Sequence, residues 1–204
     1  MSMLQGCDSS SAVTSADLLC LQQKGYSFVG RYYSRTTHIE GKKLTASEAV
    51  MISEGGIDLV AVYEDAPVEY SYFSGARGSE DATAALEQAA AVGQPEGTAI
   101  YFSVDYDASD SEIAGNIHAY FSAAAAEIGS KYLIGIYGSG AACTAMMNAG
   151  FTQLAWLSQS TGFNGTKTFT NWVIKQGLEG SVCGLNSDSD VAQGNYGSFR
   201  VSAA

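Results

Sequence analysis

Carboxylates end several short apolar runs that lie far apart along the chain. Asp8 closes the run Met3–Asp8, Glu64 closes Ile57–Glu64, and Asp105 and Asp107 close Ala99–Asp107. Asp188 and Asp190 follow a weaker run near Val182–Ser187. Other runs end in Arg31-Tyr32-Tyr33, Tyr63, Tyr137, Trp156 and Gln176. Gathered at one rim, these groups suit hydrolysis of a glycosidic bond. One carboxylic acid protonates the leaving oxygen, and a second carboxylate acts as nucleophile, base or stabiliser of the oxocarbenium ion. Crowded carboxylates repel one another's charge, which raises one pKa and keeps that acid protonated near neutral pH. Tyr and Trp offer flat faces to sugar rings, while Arg31 and Gln176 offer polar contacts. Each group also has a structural use. Asp8, Asp105 and Asp107 could cap helices, Glu64 could pair with Arg31, Tyr137 and Trp156 could fill a barrel top, and Asp188 and Asp190 could sit in a solvated loop.

Such a rim needs elements that bring strand ends together. Eight strand candidates alternate with helical stretches: Met3–Asp8, Ser27–Tyr33, Ile57–Glu64, Ala99–Asp107, Tyr132–Gly138, Gln153–Gln159, Trp172–Gly177 and Val182–Ser187. Thr45 with Glu48, and Ser109 with Glu112, read as capping boxes that open helices. Gly25, Gly55, Gly93 and Gly129 punctuate helix ends. The alternation predicts parallel strands joined by right-handed crossovers, hence a compact α/β (β/α)8 TIM-type barrel over residues 1–204, with the last helices short or missing. A doubly wound sheet fits less well: Gly138-Ser139-Gly140 opens a helix, but Cys143 stands where its phosphate fingerprint needs a third glycine.

Composition narrows the partners. The chain has 204 residues, 46% hydrophobic and 15% charged, with a net charge of −11. That field repels nucleic acid and anionic lipid. No apolar run approaches the roughly 20 residues of a membrane helix. Met1–Gly6 carries no leader pattern. Cys7, Cys20, Cys143 and Cys183 form no C-x-x-C pair, so free thiols are expected, or a disulfide if the protein is exported. No cofactor or metal is expected: Asn186, Asp188 and Asp190 imitate the start of a calcium loop but lack its later glycine and glutamate.

The ordered motifs Gly6-Cys7-Asp8, Phe28 to Tyr33, Lys43-Leu44-Thr45 with Glu48-Ala49, Val62-Tyr63-Glu64, Gly78 with Asp81-Ala82, Ile100 to Asp105, and Gly135 to Gly138 resemble a glycoside-hydrolase-like domain family related to the family 25 lysozymes. The resemblance implies a (β/α)8-type barrel and a peptidoglycan-like polysaccharide as partner. It sets Asp8 and Asp105 at the catalytic positions of the lysozyme strands, with Asp105 replacing a glutamate and Ser103 replacing an aspartate. It places Glu64 in the family's own pattern, and Asp188 or Asp190 near the eighth strand. The expected function is cleavage of wall glycan, outside the cell or at its wall, by a monomer. Asp105, Asp8 and Glu64 would be catalytic. Arg31, Tyr33, Tyr63, Asp107, Tyr137, Trp156, Gln176, Asp188 and Asp190 would bind substrate. A non-catalytic glycan-binding barrel and a hydrolase of another polymer, such as chitin, are the alternatives.

Overall fold

A computed structural model describes residues 3–202. Eight strands among them close into a barrel in sequence order: β1 (Leu4–Ser9), β2 (Phe28–Tyr33), β3 (Asp58–Tyr63), β4 (Ala99–Ser103), β5 (Leu133–Gly138), β6 (Leu154–Leu157), β7 (Ile174–Val182) and β8 (Leu185–Ala192). The helices are α1 (Ser15–Gln23), α2 (Ala46–Glu54), α3 (Gly75–Val92), α4 (Asp110–Glu112), α5 (His118–Ile128) and α6 (Gly140–Asn148). A π-helical turn at Ile113–Ile117 joins α4 to α5.

The expectation of parallel strands holds for β1 through β7 and fails for β8, which runs antiparallel to both neighbours. The cause is local. Cys183 and Gly184 take φ of 57° and 87°. Positive φ at both central residues marks the two-residue turn that suits a tight hairpin. A hairpin reverses the chain without a crossover, so no helix is needed between β7 and β8. The eighth strand is therefore later than the predicted Val182–Ser187, and Asp188 and Asp190 lie inside it rather than beyond it.

Of the two predicted capping boxes, one is whole. Ser109 and Glu112 cap each other at the start of α4. At α2, Thr45 accepts from the Glu48 amide, but the Glu48 carboxylate turns instead to Arg31 and the Val13 amide. A box at Thr14 and Asp17 opens α1. No helix among the described residues is long and apolar enough to cross a membrane.

Successive strand residues face opposite sides of the barrel wall. The inside is a small apolar layer of Phe28, Val60, Val62, Tyr101, Leu154, Trp156 and Ile174. A larger layer, including Val29, Tyr33, Leu59, Ala61, Tyr63 and Phe102, lies between barrel and helices. Glycine makes room inside. A Cβ at Gly30 would come within 2.7 Å of the Trp156 ring, and one at Gly135 within 2.2 Å of Tyr101.

Candidate active site

Inward positions at the carboxyl ends of β1 to β6, with Gln176 of β7 and Asp188 of the antiparallel β8, form a cavity of about 170 Å³. Asp8, Tyr32, Val62, Glu64, Asp105, Tyr137, Trp156, Gln176 and Asp188 line it, with Gln159 and Ser160 from the segment after β6.

Gln176 organises one side. Its amide nitrogen donates to Asp8 at 3.0 Å and to Asp188 at 2.9 Å, and its oxygen accepts from the Tyr137 hydroxyl at 2.8 Å. The Tyr32 hydroxyl donates to the other oxygen of Asp8 at 2.7 Å. Burial raises the Asp8 pKa, the donors Tyr32 and Gln176 oppose the rise, and the Glu64 charge adds to it. Beneath Asp8, Asp190 accepts from the Trp156 indole N–H at 3.0 Å. Burial, and then the Asp8 charge, push Asp190 well above the usual carboxylate range. Its second oxygen is buried with no donor. A proton on that oxygen answers both facts: Asp190 is the neutral partner and donates to Asp8.

On the other side, Glu64 accepts from Lys42 at 2.7 Å and from the Ser103 hydroxyl at 3.1 Å. Lys42 also sits 4.6 Å above the Tyr32 ring. Asp105 stands at the mouth, its side chain exposed but facing these groups. Crowding by the pocket wall, then repulsion from Glu64, push it up to about 6, against the pull of Lys42.

Five predicted site residues do not line the cavity: Asp190, buried beneath Asp8, and four that lie elsewhere. Arg31 and Tyr33 flank Tyr32 on β2, and Tyr63 precedes Glu64, so the pleat turns all three outward. Arg31 is fully buried and pairs with Glu48 at 2.7 Å, not with Glu64. It also donates to the carbonyls of Ser9 and Gly41. The Tyr33 hydroxyl donates to Gln94 at 2.8 Å, and that of Tyr63 to Asp65 and Asp81. Asp107 accepts from the Asn164 amide at 2.7 Å and so tethers the β6–β7 segment outside the pocket. Free thiols are found at Cys7 and Cys143 only, both buried and outside the pocket. Cys20 and Cys183 form a disulfide between α1 and the turn of the β7–β8 hairpin.

Residues 19–196 match the Rv2525c-like, glycoside hydrolase-like domain. The chain belongs to that family. YbfG of Bacillus subtilis is 34% identical over 196 residues, covering 86% of this chain and 26% of YbfG. The chain therefore spans about a quarter of that relative's length. Among solved structures, the Tat-secreted protein Rv2525c of Mycobacterium tuberculosis, in complex with L-tartrate, is similar with a TM-score of 0.80 at 20% identity, covering 96% of this chain and 98% of that one. A muramidase from Acremonium alcalophilum is similar with a TM-score of 0.61 at 16% identity, covering 94% of each chain. At these identities the likeness to both structures is one of fold.

Reading from strand ends singles out Arg31 and Tyr33 where Tyr32 between them lines this Rv2525c-like pocket, and it misses Gln159, Ser160 and Lys42, which reaches the site through Glu64. Tyr32 was accessible from the two-residue period, because Asp8 faces inward and its neighbour across the ladder is Gly30. Lys42 had no such signal, since it belongs to a loop whose path is set by tertiary contacts.

Proposed function

We propose that this Rv2525c-like domain hydrolyses a cell-wall glycan of peptidoglycan type by carboxylate acid/base chemistry. The observation that carries the reading is Asp105, an acid held at about 6 and turned toward Glu64 and Asp8 in one cavity. Asp105 gives its proton to the glycosidic oxygen as that bond breaks. Glu64 and Asp8 stabilise the positive charge left on the sugar, and water adds to it. The proton that water releases passes to a pocket carboxylate. Gln176 holds Asp8 and Asp188 apart, and Asp190 supports Asp8 from below by a proton it does not give up. Trp156 and Tyr137 form the floor and side of the sugar site. The fold shared with a muramidase supports this substrate class. The Cys20–Cys183 disulfide suits an oxidising, extracellular setting.

Purified peptidoglycan digested with the protein should yield new reducing ends, with fragments identified by mass. Asp105→Asn should lower that rate by about 10²–10⁴-fold while leaving the melting temperature nearly unchanged. Full activity in this variant would refute the role. A second reading, a barrel that binds wall glycan without cutting it, is favoured by Ser103, whose hydroxyl only supports Glu64. Co-sedimentation with the wall and no released fragments would select it.

A further inference from the structure

Next to the acid pocket is a second cavity, of about 440 Å³. The two share Asp8, Tyr32 and Asp188. One wall of the second cavity is Ser10, and the other is Gly180, Asn186 and Ser187 of the β7–β8 hairpin. The lining is mostly polar, with hydroxyl, amide and carboxylate groups that can hydrogen-bond a hydroxyl-rich ring and the Tyr32 side chain among them.

The hairpin wall rises beyond the barrel. β1 supports β8 as far as the Ser9–Ser187 pair. Beyond it only two strands remain, paired through Ser181–Asn186 and Val182–Leu185. A two-stranded ribbon is marginal by itself in water. Asn186 is stitched to Ser10 at the ribbon's base, by Ser10 N–H to its carbonyl at 3.1 Å and by its amide to the Ser10 hydroxyl at 2.9 Å. The tip is held by buried Leu185 and by the covalent bond from Cys183 to Cys20 on α1.

We infer that the Cys20–Cys183 disulfide is a specificity-determining positioning element: by holding the hairpin against α1 it shapes a second cavity that takes the next sugars of a glycan seated in the acid pocket. The inference rests on the glycan reading above. It predicts that the bond governs recognition of chain length rather than the chemistry at Asp105. Gly180 gives an independent handle. Gly180 lines the cavity and a Cβ there meets no heavy atom within 4 Å, so a tryptophan can be introduced at the cavity wall with no clash at its Cβ and with the disulfide intact.

The test is calorimetric binding of the peptidoglycan disaccharide and tetrasaccharide, alternating β-1,4-linked N-acetylglucosamine and N-acetylmuramic acid (dimer and tetramer below), in the Asp105→Asn background so that nothing is cleaved. The parent should bind the tetramer more tightly than the dimer. Both the double variant Cys20→Ser/Cys183→Ser and Gly180→Trp should weaken tetramer binding about tenfold and leave the dimer within about twofold. Tetramer affinity unchanged in the cysteine variant would overturn the role of the disulfide, and unchanged in Gly180→Trp it would overturn the second cavity as a sugar site; either leaves the glycan reading intact. So does an equal loss for dimer and tetramer, which is general loosening and overturns the inference. Should the cysteine variant not fold, the same titration of the parent with its disulfide reduced decides by the same criterion. If the parent binds neither oligomer, the glycan reading falls and this inference with it.

Discussion

Two cation–carboxylate pairs flank β2, Arg31–Glu48 and Lys42–Glu64, and they have opposite uses. Arg31 is wholly buried outside the barrel wall, and its donors are taken up by Glu48 and by the carbonyls of Ser9 and Gly41. Nothing is left over for a ligand. Lys42 occupies one oxygen of Glu64 and Ser103 the other, yet Glu64 still borders the cavity and acts on Asp105 through its charge. The same pair chemistry is structural where every donor is spent in the interior. It is open to a ligand where one partner faces a cavity. Which of the two results depends on a single step along a pleated strand: Arg31 and Tyr32 are neighbours, as are Tyr63 and Glu64.

Breaking the outer pair should have the largest effect. Arg31→Ala leaves Glu48 charged and buried, at a cost of about 3–5 kcal/mol. For a chain of this size that is a fall of roughly 6–20 °C in melting temperature by scanning calorimetry. A shift within 1–2 °C would mean the pair is dispensable.

Breaking the inner pair should instead act on rate and pH. With Asp105 as the acid, the alkaline limb of activity should be half-way down at about pH 6 and fall further as pH rises. Glu64→Gln removes the repulsion that raises Asp105, so the alkaline limb should move to lower pH. The rate itself should fall on the order of 10²-fold. An unmoved limb would show that Glu64 does not act on Asp105.

Adjacent tyrosines sharpen the contrast at smaller scale. Tyr33→Phe should cost about 1–2 kcal/mol of stability, because Gln94 loses its buried donor, with turnover unchanged. Tyr32→Phe should do the reverse, lowering turnover through Asp8. Equal behaviour of the two in paired melts and assays would contradict the two-face division.

The smallest change expected is at Asp190. A buried acid whose folded pKa is raised loses stability as pH climbs from its unfolded value, near 4, toward the folded one. Asparagine does not titrate and still offers a donor to Asp8. Asp190→Asn should therefore melt close to wild type at pH 4 and above it at pH 8. A lower melting temperature at pH 8 would rule out a protonated Asp190.

Much of the barrel was legible because its signals are local. Alternating apolar runs and punctuated helices mark β1 through β6 without reference to anything distant. Asp8, Glu64 and Asp105 were readable as strand-end carboxylates for the same reason. The errors share one origin. Nearness to a strand end selects Tyr33 and Tyr63 as pocket residues, although the two-residue period excludes them once Tyr32 and Glu64 face inward. Glu48 looked like half of a capping box, since nothing nearby in the chain announces the buried guanidinium that claims it. The β7–β8 hairpin was hidden because Cys183 is not a residue that ordinarily takes positive φ.

By itself the amino-acid order determined the run of strands and helices, since that depends on residues within a few positions of one another, and the excess of negative charge and the spacing of acids, which are read from composition and order alone. Tertiary structure decided the partners: Lys42 for Glu64, Glu48 for Arg31, Asp190 for Asp8, and Cys20 for Cys183 across 163 residues. Those choices depend on which side chains burial leaves in need of a counterpart, and that is settled only when the barrel closes.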